Sequence, residues 1–255
     1  MKNSLSQKGN LNFWETQAKR FKSHRVSWWD VNMKQLEIKQ ILPWLKKNDR
    51  VLDVGCSNGA ATLEIQKVIG CKIDGIDYSP LAIKQAGKIK NKHLSFKEGD
   101  IVNFKSAIKY NKIFTQRCLI NIMSAANQKK ALINIHDSLK PGGLFIMEEA
   151  FYGGLINFNK ARKFFGLAPL KQPKHNLYFR EKQFEKFVKK YFKIIKIEKY
   201  ASLYYLGTRL FQYLALSEEP KGRNVKVCSF FSNYDCSTKY SGDFAPQKLY
   251  ILKKK

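Results

Sequence analysis

The sequence lacks the features of secreted, zinc-binding and membrane-spanning proteins. Its cysteines, 5 in 255 residues, stand at positions 56, 71, 118, 228 and 236, with no CxxC pair. An odd count at irregular spacing argues against a disulfide framework and against a zinc site. No apolar run approaches the roughly 20 residues that cross a bilayer, and the opening MKNSLSQKGN lacks the apolar segment of a secretory signal. We therefore expect a cytoplasmic protein with no metal.

Acidic residues are also scarce. The chain has 20 Asp and Glu against 47 Lys and Arg, a formal net charge of +27. Such an excess is typical of proteins that bind nucleic acid or another polyanion. However, most of the cations are lysines spread along the whole chain, and Ile, Asn, Phe and Tyr are also frequent, which is the composition of an A/T-rich genome. We favour the genomic explanation. Binding of nucleic acid and attraction of a small anionic substrate both stay open.

From residue 51 the pattern alternates between short apolar strands and helices, which predicts an α/β fold with a parallel sheet. Strands are predicted at VLDVG, CKIDGID, HLSFKEGD, NKIFTQRC, GGLFIMEEA, residues 193–199 and QKLYILK, with helices at about 59–69, 79–90, 125–139 and 181–191. Apolar residues at helical spacing predict a further helix over 31–47, which Pro43 kinks or ends early. Residues 1–30 are predicted to be a cover segment and 31–255 one domain, with insertions at about 150–180 and 203–245.

The segment VLDVGCSNGAAT, residues 51–62, predicts a ligand site. A strand enters a turn that contains Gly55 and Gly59, and a helix begins at once. Glycine allows a tight turn and close approach of a ligand, and the amides at the helix start then face that ligand. The spacing is GxSxG rather than the GxGxxG of dinucleotide folds. This tighter loop suits a nucleoside with an amino-acid tail.

Three acidic residues, Asp53, Asp77 and Asp100, lie near the ends of three successive predicted strands. A carboxylate at the tip of the second strand, here Asp77, can accept hydrogen bonds from both ribose hydroxyls. In the same way Asp100 would accept from an adenine amine, with the amide of Ile101 donating to the ring and Tyr78 flanking its face. We predict that these residues bind an adenosyl group.

Together VLDVGCSNGAAT, GIDYSP, EGDI and LKPGGLFIMEE resemble the ordered motifs of class I methyltransferases that use S-adenosylmethionine (SAM) and release S-adenosylhomocysteine (SAH). The resemblance implies a Rossmann-like fold, a mostly parallel seven-stranded sheet whose last strand is antiparallel between the fifth and sixth. It also implies a set of residues that line the cofactor: Asp53, Gly55, Cys56, Ser57, Asn58, Asp77, Tyr78, Asp100, Ile101 and Arg117. Cys56 and Ser57 depart from the commoner Gly-Thr-Gly form of the loop.

The acceptor site is predicted at the end of the fourth strand, where TQRCLIN stands. Gln116–Leu119 lacks the Asn/Asp-Pro-Pro-aromatic motif of enzymes that methylate nucleic-acid amino groups. It also lacks the carboxylate of catechol-type enzymes that use magnesium. Arg117 is a candidate clamp for a phosphate or carboxylate on the acceptor, with a structural salt bridge as the alternative. The candidate general bases are His175 and then Glu149.

The predicted acceptor-binding residues come from the cover segment and the first insertion: His24, Trp28, Trp29, Tyr152 and His175. SHRVSWWD and YYLGTRLFQYLAL are similar to segments of methyltransferases that act on bacterial surface-polysaccharide precursors. This resemblance implies O-methylation of a sugar-like or phosphate-bearing small molecule in polysaccharide or capsule synthesis. The alternatives are an RNA methyltransferase and, from the apolar stretch 201–216, a non-catalytic SAM-binding or membrane-associated protein. Arg209 interrupts that stretch, so a helix that covers the site is the preferred interpretation.

Overall fold

The computed structural model describes residues 5–27, 30–216, 225–234 and 242–255, without the side chains of residues 24, 225 and 234. Its strands are β1 (Arg50–Val54), β2 (Lys72–Asp77), β3 (Leu94–Glu98), β4 (Tyr110–Gln116), β5 (Leu139–Ala150), β6 (Phe192–Glu198) and β7 (Gln247–Lys254). The α-helices are α1 (Gln7–Arg20), α2 (Val31–Ile41), α3 (Ala60–Ile69), α4 (Pro80–Ala86), α5 (Ala125–Ser138), α6 (Tyr152–Phe164), α7 (Glu181–Val188), α8 (Ser202–Leu206), α9 (Gln212–Ala215) and α10 (Val225–Tyr234).

The strands form one seven-stranded sheet in the order β3-β2-β1-β4-β5-β7-β6. All neighbours pair in parallel except β7, which is antiparallel to both β5 and β6. The predicted fold, including the antiparallel last strand, is confirmed. The order reverses between β1 and β4, so the turns that follow these strands meet at the switch point where α/β sheets bind ligands.

The strands alternate their apolar side chains between two cores, one on each face of the sheet. Leu52, Val54 and Met147 belong to one buried cluster. Val51 and Ile146 belong to the other. Because successive side chains of a strand point to opposite faces, burial of both sets requires helices on both sides, and the local alternation of the sequence provides them.

Residues 31–47 form a shorter α-helix than their apolar spacing predicts. The α-helix α2 stops at Ile41, and Leu42–Trp44 continue as a 3-10 turn with Pro43 near its start. Proline has no N–H to donate and its ring crowds the preceding turn. The early stop was one of the two outcomes predicted for this segment.

The first insertion contains a 13-residue helix, α6, whose first turn includes a glycine pair. A Cβ on Gly154 would lie 1.8 Å from the carbonyl oxygen of Ala245, and one on Gly153 would lie 2.3 Å from a carboxylate oxygen of Glu181. These glycines therefore allow the helix start to pack closely against two other segments. The sequence alone shows these glycines only as a break in the alternation of strands and helices, because the residues that they contact, Ala245 and Glu181, are distant in the chain.

Residues 5–27 lie across the edge of the sheet where the parallel strands end. The Asn10 amide donates to the carbonyl oxygens of Asn121, at 2.6 Å, and His175, at 2.9 Å. Farther along α1, Glu15 accepts from the Ser79 hydroxyl and, at 3.3 Å, from the Leu81 amide at the start of α4. The cover segment is thus fixed to the loops that build the site.

Candidate cofactor and acceptor site

The loop after β1 bends through three residues with positive φ: Gly55 (81°), Ser57 (52°) and Gly59 (75°). A Cβ on Gly55 would lie 2.5 Å from Sγ of Cys118, so this turn is closely packed against the end of β4. A Cβ on Gly59 would lie 2.8 Å from the side chains of Ile89 and Phe96. Gly59 therefore allows protein packing, whereas the sequence suggested that it admits a ligand.

Asp77 ends β2 beside this loop, as predicted. One carboxylate oxygen accepts from the amide of Ser57 and the other from the amide of Ser79, both at 2.9 Å. Burial raises the pKa of Asp77 to about 6, although these two hydrogen bonds oppose the shift. Asp77 thus braces the loop and also lines a cavity with Gly55, Ser57 and Tyr78.

Asp53 is buried deeper, within β1. It accepts from the hydroxyl of Thr62 at 2.6 Å, and burial raises its pKa to about 7. It borders a narrow space of about 20 Å³ together with Gly55, Cys56, Ser57 and Asn58. The structure therefore brings together most of the residues that were predicted to line the cofactor.

Asp100 and Ile101 are the exceptions. Asp100 is exposed, and its carboxylate accepts from the amide of Val102 at 2.9 Å and the side chain of Asn103 at 3.3 Å, which caps the turn after β3. Ile101 is buried in the core. Neither residue borders the described cavities at this edge, so their contacts with adenine stay a prediction.

The cavity beside Asp77 has a volume of about 60 Å³ and is covered by Trp14, Val26 and Ser27 of the cover segment. This space is continuous in its lining with the narrow space at Asp53 and with a larger neighbouring cavity, since Gly55 and Ser57 border the former and Arg117 and Asn121 the latter. The polar groups fit an adenosyl ligand, since a carboxylate, a phenol and amides converge there. The hydroxyl of Tyr78 and the side-chain amide nitrogen of Gln116 are buried without a hydrogen-bond partner among the described residues.

Arg117 follows β4 with a φ of 53°, a conformation that is uncommon for a residue with a side chain. Its Nε donates to Oε1 of Glu37 at 2.7 Å, and the fully buried Glu37 also lies 3.8 Å from the ammonium of Lys34. Burial of these charges is tolerated because they pair. The predicted salt-bridge alternative is therefore present. Arg117 also borders both the cavity beside Asp77, which we call the cofactor cavity, and a larger neighbouring cavity.

That neighbour, the acceptor cavity, has a volume of about 320 Å³. It shares Trp14, Val26, Ser27, Arg117 and Asn121 with the cofactor cavity. Arg25, Lys171 and Arg209 add three further cations, and no Asp or Glu is found among the described residues that line it. Its walls come from the cover segment, both insertions and the end of β4.

His175 lines the acceptor cavity and is held by two aromatic rings. Its imidazole stacks on Phe13 with centroids 4.3 Å apart and meets the edge of Trp14 at 5.4 Å. Burial, and then the positive charge of Arg117, lower the pKa of His175 to about 4. The ring is therefore neutral at pH 7 and can accept a proton.

Two other predicted residues lie elsewhere. Glu149 is fully buried and accepts from the amides of Cys118, Leu119 and Ile120 at 3.0, 2.9 and 3.2 Å. Both of its oxygens are used, and it lines none of the described cavities, so it anchors the turn rather than reaching an acceptor. Tyr152 packs against Tyr178 and under Arg180, in a separate groove.

Three residues that were predicted to bind the acceptor lie wholly or partly outside the described structure. Trp28 and Trp29 lie outside the described residues, as does the side chain of His24.

The contributors that were missed as site residues include Tyr205 and Arg209. Arg209 lies over the ring of Tyr205 at 4.0 Å and donates to Asp30 at 2.8 Å. The signal in the sequence that could have identified Arg209 was that it is the one arginine in the apolar stretch 201–216. Its acidic partner is distant in the sequence.

Comparison with known proteins decides the family, because the methyltransferase domain family matches residues 45–195 of the chain. The chain belongs to this family. The membership confirms the predicted class of enzyme fold and its cofactor, SAM. The matched residues include β1 to β5, the turn at Gly55 and Asp77.

Individual matches are more distant. Carboxy-S-adenosyl-L-methionine synthase from Yersinia pestis (strain Pestoides F) is 28% identical over 120 residues, which is 42% of this chain and 43% of that protein. The chain thus spans less than half the length of the curated relatives it matches.

Two solved structures share the fold. The N-methyltransferase NodS from Bradyrhizobium japonicum WM9, crystallised with SAH, has a TM-score of 0.51 at 15% identity, over 87% of this chain and 84% of its own. Magnesium protoporphyrin IX methyltransferase from Synechocystis PCC 6803, also with bound SAH, has a TM-score of 0.57 at 14% identity, over 88% and 84%. At these identities the likeness concerns the fold alone.

The described residues contain no cluster of three His, Cys, Asp or Glu side chains suited to a metal ion. Within the same ranges, no helix is long and apolar enough to span a bilayer.

Proposed function

We propose that the protein transfers a methyl group from SAM to a small anionic or sugar-like acceptor. The observation that supports this function is the contact between two cavities. One is bordered by the Gly55 loop and Asp77, the other is cationic, and they share Arg117 and Asn121. An acceptor in the second cavity would reach a ligand in the first without crossing solvent.

Methyl transfer requires the protein mainly to align the two reactants. The nucleophile attacks the methyl carbon in line with the carbon–sulfur bond, and that bond breaks to release a neutral thioether. Asp77 would accept hydrogen bonds from the ribose, while Asp53, Ser57 and Asn58 would border the amino-acid tail. Holding two reactants in attack geometry supplies a large part of a rate enhancement. Arg117, oriented by Glu37, would hold an anionic group of the acceptor.

The acceptor atom is proposed to be an oxygen. Removal of a hydroxyl proton during attack needs a nearby base, and His175 is the titratable side chain with a neutral ring in the acceptor cavity. A pKa near 4 makes it a weak base in the empty protein. An anionic acceptor beside the ring would favour the imidazolium and raise that pKa. The acceptor's own charge would thus increase the basicity of His175.

The finer assignment is O-methylation of a precursor of a surface polysaccharide or capsule. A cavity that combines cations with Trp14, Phe13, Tyr178 and Tyr205 suits a phosphate-bearing sugar, because aromatic faces pack on sugar rings and guanidinium groups pair with phosphate.

The net charge of +27 favours a second candidate, an RNA methyltransferase. In that case a target base would have to leave its stack to enter the acceptor cavity.

The test supplies labelled SAM and the purified protein with either nucleotide-linked sugars or total RNA. We expect label in the sugar pool and its loss in Arg117→Lys, which keeps the charge but removes the planar fork. Arg50→Lys is the matched control and should keep the activity. Arg50 is exposed and begins β1, at the end of the strand opposite to the Gly55 loop. Label in RNA alone would refute the small acceptor, and label in neither pool would refute methyl transfer to these acceptors.

A further inference from the structure

The outer face of α6 carries apolar side chains where a surface helix normally carries polar ones. Ile156 is 51% exposed and Phe164 is 84% exposed, and Phe165, directly after the helix, is 45% exposed. Lys160 and Lys163 lie on the same face, because residue 160 lies four positions after residue 156, and residues 163 and 164 lie three and four positions after residue 160. We call these five residues the α6 outer face.

The buried side of α6 shows that this exposure is not a local failure of packing. Leu155, Phe158 and Arg162 point inward and are buried. The rings of Phe164 and Phe165 contact each other edge to face, with centroids 5.1 Å apart. Two adjacent exposed phenylalanines are an unfavourable arrangement in water and mark a surface that contacts something apolar.

The chain segment that carries the α6 outer face has charge of one sign. Residues 150–180 contain no Asp or Glu, and their cations include Lys160, Lys163, Lys171 and Lys174, all exposed. An apolar protein partner would leave these lysines without a complement. A surface that offers both an apolar interior and dense negative charge is that of an anionic lipid bilayer.

The α6 outer face is fixed to the rim of the acceptor cavity. The side chain of Asn159 exchanges two hydrogen bonds with the backbone of Leu170, both at 2.9 Å. Nε of Arg162 donates to the carbonyl oxygen of Ala168 at 2.6 Å. Leu170 and Lys171 then line the acceptor cavity. Hydrogen bonds therefore connect the end of α6 to the loop that forms the cavity rim.

The helical segment 202–215 packs against α6. Arg162 joins α6 to it by donating to the carbonyl oxygen of Arg209 and by lying over the ring of Tyr213 at 4.9 Å. This segment exposes further large apolar side chains, Phe211, Leu214 and Leu216.

We infer that the α6 outer face docks on an anionic membrane surface, with Phe164 and Phe165 entering the headgroup region and the lysines contacting lipid phosphates. Docking there would bring the rim at Leu170 and Lys171 close to the bilayer, so that the acceptor cavity could receive a molecule held in the membrane. The docking itself does not depend on the proposed methyl transfer, because it needs neither SAM nor an acceptor.

The test is co-sedimentation of the full chain with vesicles, without cofactor. We expect binding to vesicles of phosphatidylcholine with phosphatidylglycerol and at least tenfold weaker binding to phosphatidylcholine alone. Replacing both aromatic residues, Phe164→Ser with Phe165→Ser, should lower the partition coefficient at least tenfold. Val68→Ser, an exposed apolar residue on α3, is the control and should change it less than twofold.

Charge is tested by Lys160→Glu with Lys163→Glu against Lys88→Glu with Lys92→Glu, exposed lysines near β3. Both pairs change the net charge equally, but the first should weaken binding about tenfold or more, since a cation near an anionic surface is worth about fivefold. Equal weakening by the two pairs, equal binding to neutral vesicles, or no binding would overturn the inference. So would self-association that is lost in the Phe pair while vesicle binding is absent.

Discussion

Replacing Glu149 with alanine separates an anchoring role from a catalytic one. Three consecutive amides, those of Cys118, Leu119 and Ile120, donate to its carboxyl group. These amides begin the 3-10 turn Leu119–Asn121 that follows Arg117. Removing this carboxyl group leaves the three buried amides without their hydrogen-bond partner, so the turn that follows Arg117 loses its support.

The expected loss follows from these contacts. Burial raises the pKa of Glu149 to about 7, so at pH 6 the group is mostly protonated and its charge contributes little. Each buried amide left unpaired costs about 1 kcal/mol or more, so Glu149→Ala should lower the free energy of unfolding by about 3 kcal/mol. Glu149→Gln keeps the oxygen that serves Cys118 and Leu119 and should lose about 1 kcal/mol.

Urea unfolding at pH 6 measures both variants, and methyl-transfer rates are taken on Glu149→Gln. An anchor predicts a rate within about threefold of the wild type, whereas loss of a general base costs about a hundredfold or more. The anchoring role is refuted if the alanine variant unfolds within 1 kcal/mol of the wild type. A hundredfold slower but equally stable glutamine variant would restore the catalytic role.

Three further predictions concern neighbouring residues. Asp77→Asn should weaken SAM binding at least tenfold by calorimetry; wild-type affinity should fall as pH drops below about 6, where this carboxyl binds a proton, and the variant should lack that dependence. His175→Ala should slow transfer with unchanged SAM affinity, and wild-type kcat/KM for the acceptor at saturating SAM should hold from pH 8 to about pH 5, since it reports the protein without bound acceptor, in which the pKa of His175 is about 4; a fall in kcat/KM centred on pH 6.5 would contradict this. Gly55→Ala should lower the free energy of unfolding by about 2 kcal/mol or more in urea, because its Cβ would meet Cys118, whereas Gly166→Ala, with positive φ but open space, should cost only about 1 kcal/mol.

Much of the fold could be predicted because its signals are local. The strand VLDVG, the bend at Gly55 and the helix that starts at Ala60 are adjacent in the chain, and their order predicts a βαβ unit. The glycine pair at 153 and 154 shows the limit. A glycine that opens a turn and one that admits a neighbouring backbone look the same in a sequence.

The positions of Asp77 and the Gly55 loop were easier to predict from the sequence than the residues that line the larger cavity. Asp77 and the Gly55 loop follow strands directly, and parallel strands bring their ends to one edge. Glu149 also ends a strand, but its side chain turns into the interior to accept amides. Residues at strand ends can face either way, and packing decides which.

By itself the sequence determined the family, the α/β architecture and the position of Asp77 at a strand end beside the Gly55 loop, because each depends on short-range pattern. Only the tertiary structure decided that Arg117 pairs with Glu37, that Glu149 anchors a turn, and that α1, α6 and the helices after β6 enclose a cationic cavity. Those outcomes depend on contacts between side chains far apart in the chain, whose burial and charge exist only once the chain has folded.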